Sequence, residues 1–465
     1  MSMELEIPYG DTFVKAELPD RTFVLPAGGQ IKKPEPLDDL GAAIASALDA
    51  PLGMAPFPEL VRPGANVVIA FDDATVAQFG PVRGIAIHET LRRLESAGVG
   101  RDTVTLICAN ALHRKFTPEE LATIIGDDLV KEFGDRCFCH DAEDADNLSY
   151  IGQTPEHGYD VEVSRYVVDA DLLIYVTAAH GRGFSGGWKS VCVGLSTFRS
   201  IRHHHTPDGM SMSLKDNRMH KVLDEMGVFL ESKIDTTIMK IDCIEAGPLS
   251  ISRVFAGAVA ECRNAALDVL EEQFPPRRSL RSEKHDVILY GVPDWSPYAI
   301  FSHTNPILTL ISSGLGYLGG AIRALGKPGC TVIMVTPCPE RWDRVHHPSY
   351  PDVWENVLTE SRDAYDIEKR YTEQYATNEE YIDKYRNHYA FHPIHGILAT
   401  HPLKRLKHAG RVIVAGIEDP AVAEHIGFEA AADVAAALKR AEEIHGPDYS
   451  IAYAQHPAAP TKVTM

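Results

Sequence analysis

Short apolar, β-branched runs recur along the chain, each followed by a polar turn and a stretch of helical character. Val67-Val68-Ile69-Ala70-Phe71 follows Arg62-Pro63-Gly64 and leads into Asp72-Asp73. Val104-Thr105-Leu106-Ile107-Cys108 comes after a helical stretch ending near Gly98 and Gly100. Leu172-Leu173-Ile174-Tyr175-Val176 follows Asp169-Ala170-Asp171. Further runs lie at Val287–Tyr290, Val332–Val335 and Val412–Ala415. Continuous apolar runs read as strands buried on both faces. Strands alternating with helices read as an α/β fold with mainly parallel sheets. In such sheets ligands collect beyond the carboxyl ends of the strands, so the residues just after each run are where chemistry is expected.

The pattern breaks at Gln273-Phe274-Pro275-Pro276-Arg277-Arg278, where a proline-rich, charged stretch without periodicity predicts a linker. It separates an N-terminal α/β domain over 1–272 from a C-terminal α/β domain over 285–445, with an active-site cleft expected between them. The Glu-, Lys-, Tyr- and Arg-rich stretch 352–390 predicts exposed helix, and the residues from His456 onward read as a loose tail.

Composition narrows the function classes. The 465 residues suffice for two or three domains, and 45% hydrophobic with 24% charged residues suits an ordinary packed core. The 45 Lys and Arg against 65 Asp and Glu give a net charge of −20. That argues against nucleic acid or an anionic membrane as the main partner. An anionic substrate would need positive charge focused locally. The eight cysteines are scattered, mostly within apolar runs and without a CxxC pair, which predicts buried, reduced thiols in a reducing compartment. The first residues lack the basic and apolar regions of a secretory signal, and no run approaches the roughly 18 apolar residues of a membrane helix. The expectation is a cytoplasmic enzyme; the oligomeric state, a homo-oligomer included, is left open.

Four segments just beyond strand ends could carry chemistry. Phe71-Asp72-Asp73-Ala74-Thr75 places carboxylates and a hydroxyl at a strand-to-helix turn, as a helix cap or as a grip on a ribose hydroxyl. Ala111-Leu112-His113-Arg114-Lys115 presents an imidazole able to act as a general base near neutral pH, or simply a structural histidine. His180-Gly181-Arg182-Gly183-Phe184-Ser185-Gly186-Gly187-Trp188-Lys189 packs four glycines into seven residues ahead of a lysine. Such a loop can bring backbone N–H groups to an anion, and a desolvated lysine is a nucleophile; a tight structural turn is the alternative. It is not a phosphate-binding P-loop, because Trp188 separates Gly187 from Lys189. Finally, His203-His204-His205 suits a metal such as nickel or zinc, or is a solvated loop. Adjacent helical positions point in different directions, so one of the three would ligate.

Taken together, these segments resemble the nickel-pincer-nucleotide-dependent lactate racemase family and its 2-hydroxy-acid racemase and epimerase relatives. The family pattern has an Asp-x-Thr-Arg turn, a His-Arg turn, a His ahead of Phe-Ser-Gly-Gly-x-Lys, and a later nickel His. Here Asp73-Ala74-Thr75, His113-Arg114, His180 with Phe184–Lys189, and His205 fit in that order. Ile7–Asp11 fits as well, and Lys327-Pro328-Gly329 and a late cluster near His392 and His395 fit more loosely. The resemblance implies a nickel pincer nucleotide, a pyridinium-3-thioamide-5-thiocarboxylic acid mononucleotide. Lys189 would be its thioamide tether. Asp73, Thr75, Ser185, Gly186 and Gly187 would bind it, and His205 would hold nickel, with His204 and His203 as fallbacks. His113 and His180 would be the paired bases, one for each face of a 2-hydroxy acid, in a racemisation that moves hydride to and from the cofactor. Arg114, His303 and Asn305 would meet the substrate. The pattern departs at Val76, where the family has Arg, in the gap from His180 to Phe184, shorter by one residue, and at Phe301–Pro306, where it has a Gln and a Lys. The loss of those cations implies a substrate other than lactate. Two alternatives stay open: the same cofactor in a redox or isomerisation reaction on a hydroxy acid, and a nucleotide- or phosphate-binding α/β protein without nickel chemistry.

Overall fold

The computed structural model describes residues 2–26, 34–76, 81–179, 186–209, 213–215, 217–247, 250–273 and 283–456. The chain is α/β and forms two compact units. They are not the consecutive pieces 1–272 and 285–445 expected from the sequence. One unit comprises 32–276 together with 382–392, and the other 1–31, 277–381 and 393–465. The division near the proline-rich stretch remains, but the N-terminal segment belongs with the later part of the chain. The return of 382–392 has a visible cause. Tyr385 is wholly buried, its hydroxyl donates to the Ala111 carbonyl at 3.2 Å and accepts from the Ala142 N–H at 2.9 Å, and the His392 N–H reaches the Leu112 carbonyl.

In the unit built on 32–276, a six-stranded sheet has the order Ser250–Gly257, Thr237–Gly247, Leu172–Ala179, Val67–Asp72, Val104–Ala109, Cys137–Cys139. All neighbours are parallel except the first pair. The strands Val67–Asp72 and Leu172–Ala179 are buried at every position, which is why they read as unbroken apolar runs. Because Val67–Asp72 lies between Val104–Ala109 and Leu172–Ala179, the turns that follow all three leave the same edge of the sheet.

The other unit has a fully parallel sheet in the order Glu429–Ala431, Ala409–Ala415, Gly326–Val335, His285–Gly291, Ile451–Ala454, Phe23–Leu25. The hairpin Ser2–Tyr9 and Thr12–Pro19 covers one face, with Ile7 and Leu18 packed into the same core as Leu289, Ile333 and Ile413. The expected exposed helix over 352–390 is broken into Ala364–Ala376 and Glu379–Asn387, each with buried tyrosines. One helical stretch, Ile307–Leu325, has the length and apolar character that the sequence reading did not find anywhere in the chain; two thirds of it is buried inside the protein. All eight cysteines are free thiols, seven of them buried.

Candidate functional site

The strand Val67–Asp72 ends in two buried carboxylates with different work. Asp72 is held inside the sheet: Tyr175 Oη donates to its Oδ1 at 3.0 Å, and its Oδ2 accepts from the Ala178 N–H at 3.0 Å and from Thr177 Oγ1. Asp73 turns toward the neighbouring strand end. Its Oδ2 lies 2.7 Å from His113 Nδ1, and its Oδ1 accepts from Thr75 Oγ1 at 2.5 Å and the Thr75 N–H at 3.1 Å. Thr75 Oγ1 is also 3.3 Å from His113 Nδ1. Burial works to raise the proton affinity of Asp73, but the His113 charge and the hydrogen bonds from His113 and Thr75 outweigh it, and the carboxyl sits below its ordinary range. An ionised Asp73 accepts the Nδ1–H of His113, which leaves the basic lone pair of that ring on Nε2.

The His113 turn is built to hold that ring. Ala111 takes a left-handed φ of 51° while its N–H reaches the Gly194 carbonyl, and the buried Asn110 side chain donates to the His113 carbonyl at 3.0 Å. Phe391 packs at a tilt against the imidazole. The first turn likewise carries a cation despite Val76: the buried Arg83, from helix Val82–Ser96, donates to the Asp73 and Val76 carbonyls.

The glycine-rich turn follows strand Leu172–Ala179. His180 and Ser185 lie outside the described residues. Gly186 and Gly187 have φ of 74° and 58°, backbone that a side chain resists. A Cβ on Gly187 would fall 2.5 Å from Arg263 Cδ. Trp188 is buried, with its ring laid directly on Gly227 of helix Arg218–Glu231. Lys189, half-buried at the start of the short helix Lys189–Cys192, has its amine shifted below the ordinary lysine range. Burial is the main cause; Asp72 and Asp73 oppose the shift and the charge of Lys240 adds to it.

His203 turns away from the other two histidines, whose rings meet edge to face with centroids 4.8 Å apart. His203 Nε2 accepts from the Asp160 N–H at 3.1 Å. His204 is fully buried, and burial lowers its pKa to about 3. His205 is half-buried, its Nδ1 2.7 Å from His204 Nδ1.

The three expected substrate residues each have protein partners. Arg114 is buried and gripped in a fork by Glu120, at 2.9 and 2.6 Å, where Glu120 also closes the capping box of helix Pro118–Ile125. Its charge is consumed by structure. Asn305 is buried and accepts the Leu308 N–H at 3.0 Å, capping the helical stretch Ile307–Tyr317. His303 is half-buried with Nδ1 near the Thr304 carbonyl, in the unit that does not hold His113 and Lys189. Sequence reading missed Lys240, Asp242 and Arg263. The first two stand two apart in strand Thr237–Gly247, and a charged pair alternating inside an apolar run was the available signal. Burial raises the thiols of Cys108, Cys192 and Cys243, so none of these is a ready thiolate.

Residues 9–216 match the family model of the lactate racemase N-terminal domain. The lactate racemase of Lactiplantibacillus plantarum is 29% identical over 228 residues, 47% of this chain and 52% of that protein. That of Thermoanaerobacterium thermosaccharolyticum is 26% identical over 229 residues, 47% of this chain and 51% of the relative. In sequence the chain thus spans about half the length of the curated relatives it matches. The lactate racemase apoprotein structure from Thermoanaerobacterium thermosaccharolyticum aligns over 97% of this chain and 98% of that one, with a TM-score of 0.69 and 19% identity. A Thermotoga maritima protein aligns over 91% of this chain and 99% of that one, with a TM-score of 0.54 and 15% identity. At those identities the structural likeness shows a shared fold.

Proposed function

Because the chain belongs to a lactate racemase-like family, we propose that it interconverts the stereoisomers of a 2-hydroxy acid by hydride transfer to and from a nickel-pincer nucleotide. The observation that carries the reading is the Asp73–Thr75–His113 cluster at two adjacent strand ends, in the same unit as a lysine whose amine is shifted toward its neutral form.

The residues fit such a cofactor. Gly186 and Gly187 take backbone conformations that a side chain resists, and a Cβ on Gly187 would strike Arg263; Lys189 offers an amine for an amide-type bond, and His205 offers an imidazole to a soft divalent metal. When bound, the group would supply a hydride acceptor and donor. The chain's residues do the rest. Lys189 anchors, Asp73, Thr75 and the glycine turn line the anchor, and His205 is the metal ligand, since His204 is buried and His203 is engaged by Asp160. His113 Nε2 takes the substrate's hydroxyl proton while Asp73 stabilises the imidazolium that forms. His180 is proposed as the matching base for the opposite face. With Arg83 at the first turn engaged by the Asp73 and Val76 carbonyls and Arg114 committed to Glu120, the site has less positive charge to offer a bare small carboxylate. That favours a larger or more polar 2-hydroxy acid than lactate.

The test has two parts. Protein made in a host that supplies the cofactor should show a mass adduct that vanishes in Lys189→Ala. Chiral chromatography after incubation with a panel of 2-hydroxy acids should show inversion at the hydroxyl carbon. A consumed substrate with a keto product and no inversion would favour a redox reaction. No adduct and no nickel would remove the cofactor from the reading.

A further inference from the structure

The turn that carries His113 is held by residues far away in sequence. Ala111 stands in the left-handed region at φ 51°, and both Ala111 and Leu112 are buried, so their backbone carbonyls need donors inside the protein. Both donors come from the segment 382–392. Tyr385 Oη donates to the Ala111 carbonyl at 3.2 Å, and the His392 N–H donates to the Leu112 carbonyl at 3.0 Å. On the other side of His113, Lys115 Nζ donates to the Arg386 carbonyl at 2.8 Å and pairs with Asp141 at 2.8 Å. Attachments at Ala111, Leu112 and Lys115 thus bracket the imidazole. The segment is anchored in its turn. Tyr385 Oη accepts from the Ala142 N–H at 2.9 Å, and the Tyr385 ring meets His392 edge to face with centroids 5.2 Å apart. His392 Nε2 lies 2.9 Å from Glu143 Oε1. Between these anchors in sequence stands Phe391, also buried, whose ring centroid is 5.7 Å from that of His113 with the planes at 57°.

Asp73 does not fix the direction of His113 Nε2 by itself. A hydrogen bond at Nδ1 sets the tautomer and pins one corner of the ring, yet leaves the plane free to turn about the line from Cβ to that nitrogen. Thr75 Oγ1, 3.3 Å from the same Nδ1, adds a contact at the same corner. Stopping the turn takes a contact from outside the Asp73–Thr75 cluster, and the Phe391 ring supplies one. Phe391 also lies outside the residues 9–216 that match the lactate racemase N-terminal domain.

We propose that Phe391 is a positioning residue for His113: carried on the segment 382–392 and tied to the base turn through Tyr385 and His392, it holds the imidazole plane so that Nε2 keeps one direction. The proposal rests on His113 being the base that takes the substrate's hydroxyl proton. Proton transfer depends steeply on the direction of the accepting lone pair, so a ring that turns loses rate rather than binding.

The test uses the full-length protein. In crystals of the cofactor-free form, Phe391→Ala should leave His113 Nδ1 on Asp73 while the ring turns toward the opened space; a ring that stays in place overturns the proposal. In protein made with cofactor, Phe391→Ala should lower kcat on the hydroxy acid found by the panel about 10²-fold, with KM held within about threefold. Phe391→Leu, which returns bulk to the ring face, should recover most of the loss. Leu129→Ala, a buried truncation in helix Asp127–Phe133 of the same unit, is the structural control. Where Asp73→Asn is impaired, a kcat loss in Phe391→Ala no larger than in this control, for the same drop in melting temperature, overturns the proposal. An unimpaired Asp73→Asn counts against the base reading instead, and the crystals then decide whether Phe391 holds the ring. Should Phe391→Ala fail to fold, Tyr385→Phe keeps the packing and removes only the hydroxyl on the Ala111 carbonyl. It should lower kcat about tenfold with KM unchanged, and an unchanged kcat overturns the proposal.

Discussion

The close packing of the glycine turn on Arg263 makes a quantitative prediction. In Gly187→Ala the new methyl enters a left-handed backbone position, φ 58°, at a cost of about 1–2 kcal/mol. It also falls 2.5 Å from Arg263 Cδ and 3.3 Å from its Nε. The blocking atom is mid-chain rather than at a flexible tip. Arg263 is also largely buried, with Asp224 and Asp242 as charge neighbours, so yielding costs about 1–3 kcal/mol more. The expected destabilisation is therefore roughly 2–5 kcal/mol. Gly186→Ala is the internal control. Its φ of 74° carries the same strain, but its Cβ would meet nothing closer than 3.7 Å, so it should cost only about 1–2 kcal/mol. Urea unfolding followed by tryptophan fluorescence reads both, because Trp188 is buried beside the turn. A double-mutant cycle with Arg263→Ala isolates the clash: in that background Gly187→Ala should fall to the cost of Gly186→Ala. Equal costs for the two glycines, or a Gly187→Ala penalty that survives loss of Arg263, would refute the argument that this contact selects glycine.

Asp73→Asn should fold and yet lower turnover on the responsive hydroxy acid by roughly 10²–10⁴, because His113 loses the carboxylate that sets its tautomer, with kcat falling more than KM rises. Unchanged kcat would remove His113 from the base role. Arg114→Ala should act on stability, by about 3–5 kcal/mol, since it strands the buried Glu120; a KM effect without a stability loss would return Arg114 to the substrate. Burial lowers His140 to about 4 and His401 to about 3, so the unfolded chain binds protons that the folded one refuses. Stability should thus be full above the unfolded histidine range and decline as pH falls below it, by about 2 kcal/mol per imidazole at pH 5. His140→Gln and His401→Gln should each flatten the urea midpoint against pH over that window, and an unaltered slope would contradict the assignment.

Much of the sheet was legible because its strands are local events. Val67–Asp72 and Leu172–Ala179 are buried on both faces and had to be written as apolar runs. Strand Thr237–Gly247 escaped notice because Lys240 and Asp242 interrupt its apolar pattern. The division into units was partly hidden for a similar reason: Tyr385 and His392 look like ordinary late residues until their partners at Ala111, Ala142 and Leu112 are known.

By itself, the sequence determined the α/β class, the order of the turns that leave the strand ends, and the glycines and lysine of the third turn. Strand burial and backbone conformation depend on neighbours a few positions away. Only the tertiary structure decided which polar groups meet. Asp73 and His113 are separated by 40 residues, and strand pairing joins them. Arg114 had the right chemistry for a substrate, but Glu120 pairs with it, because a buried charge must be satisfied wherever the fold places it; the Leu308 N–H takes only the oxygen of Asn305, whose buried Nδ2 has no hydrogen-bond partner among the described residues. The same requirement set Lys240 against Ser190, Asp242 and Tyr175, an arrangement that no local pattern predicts.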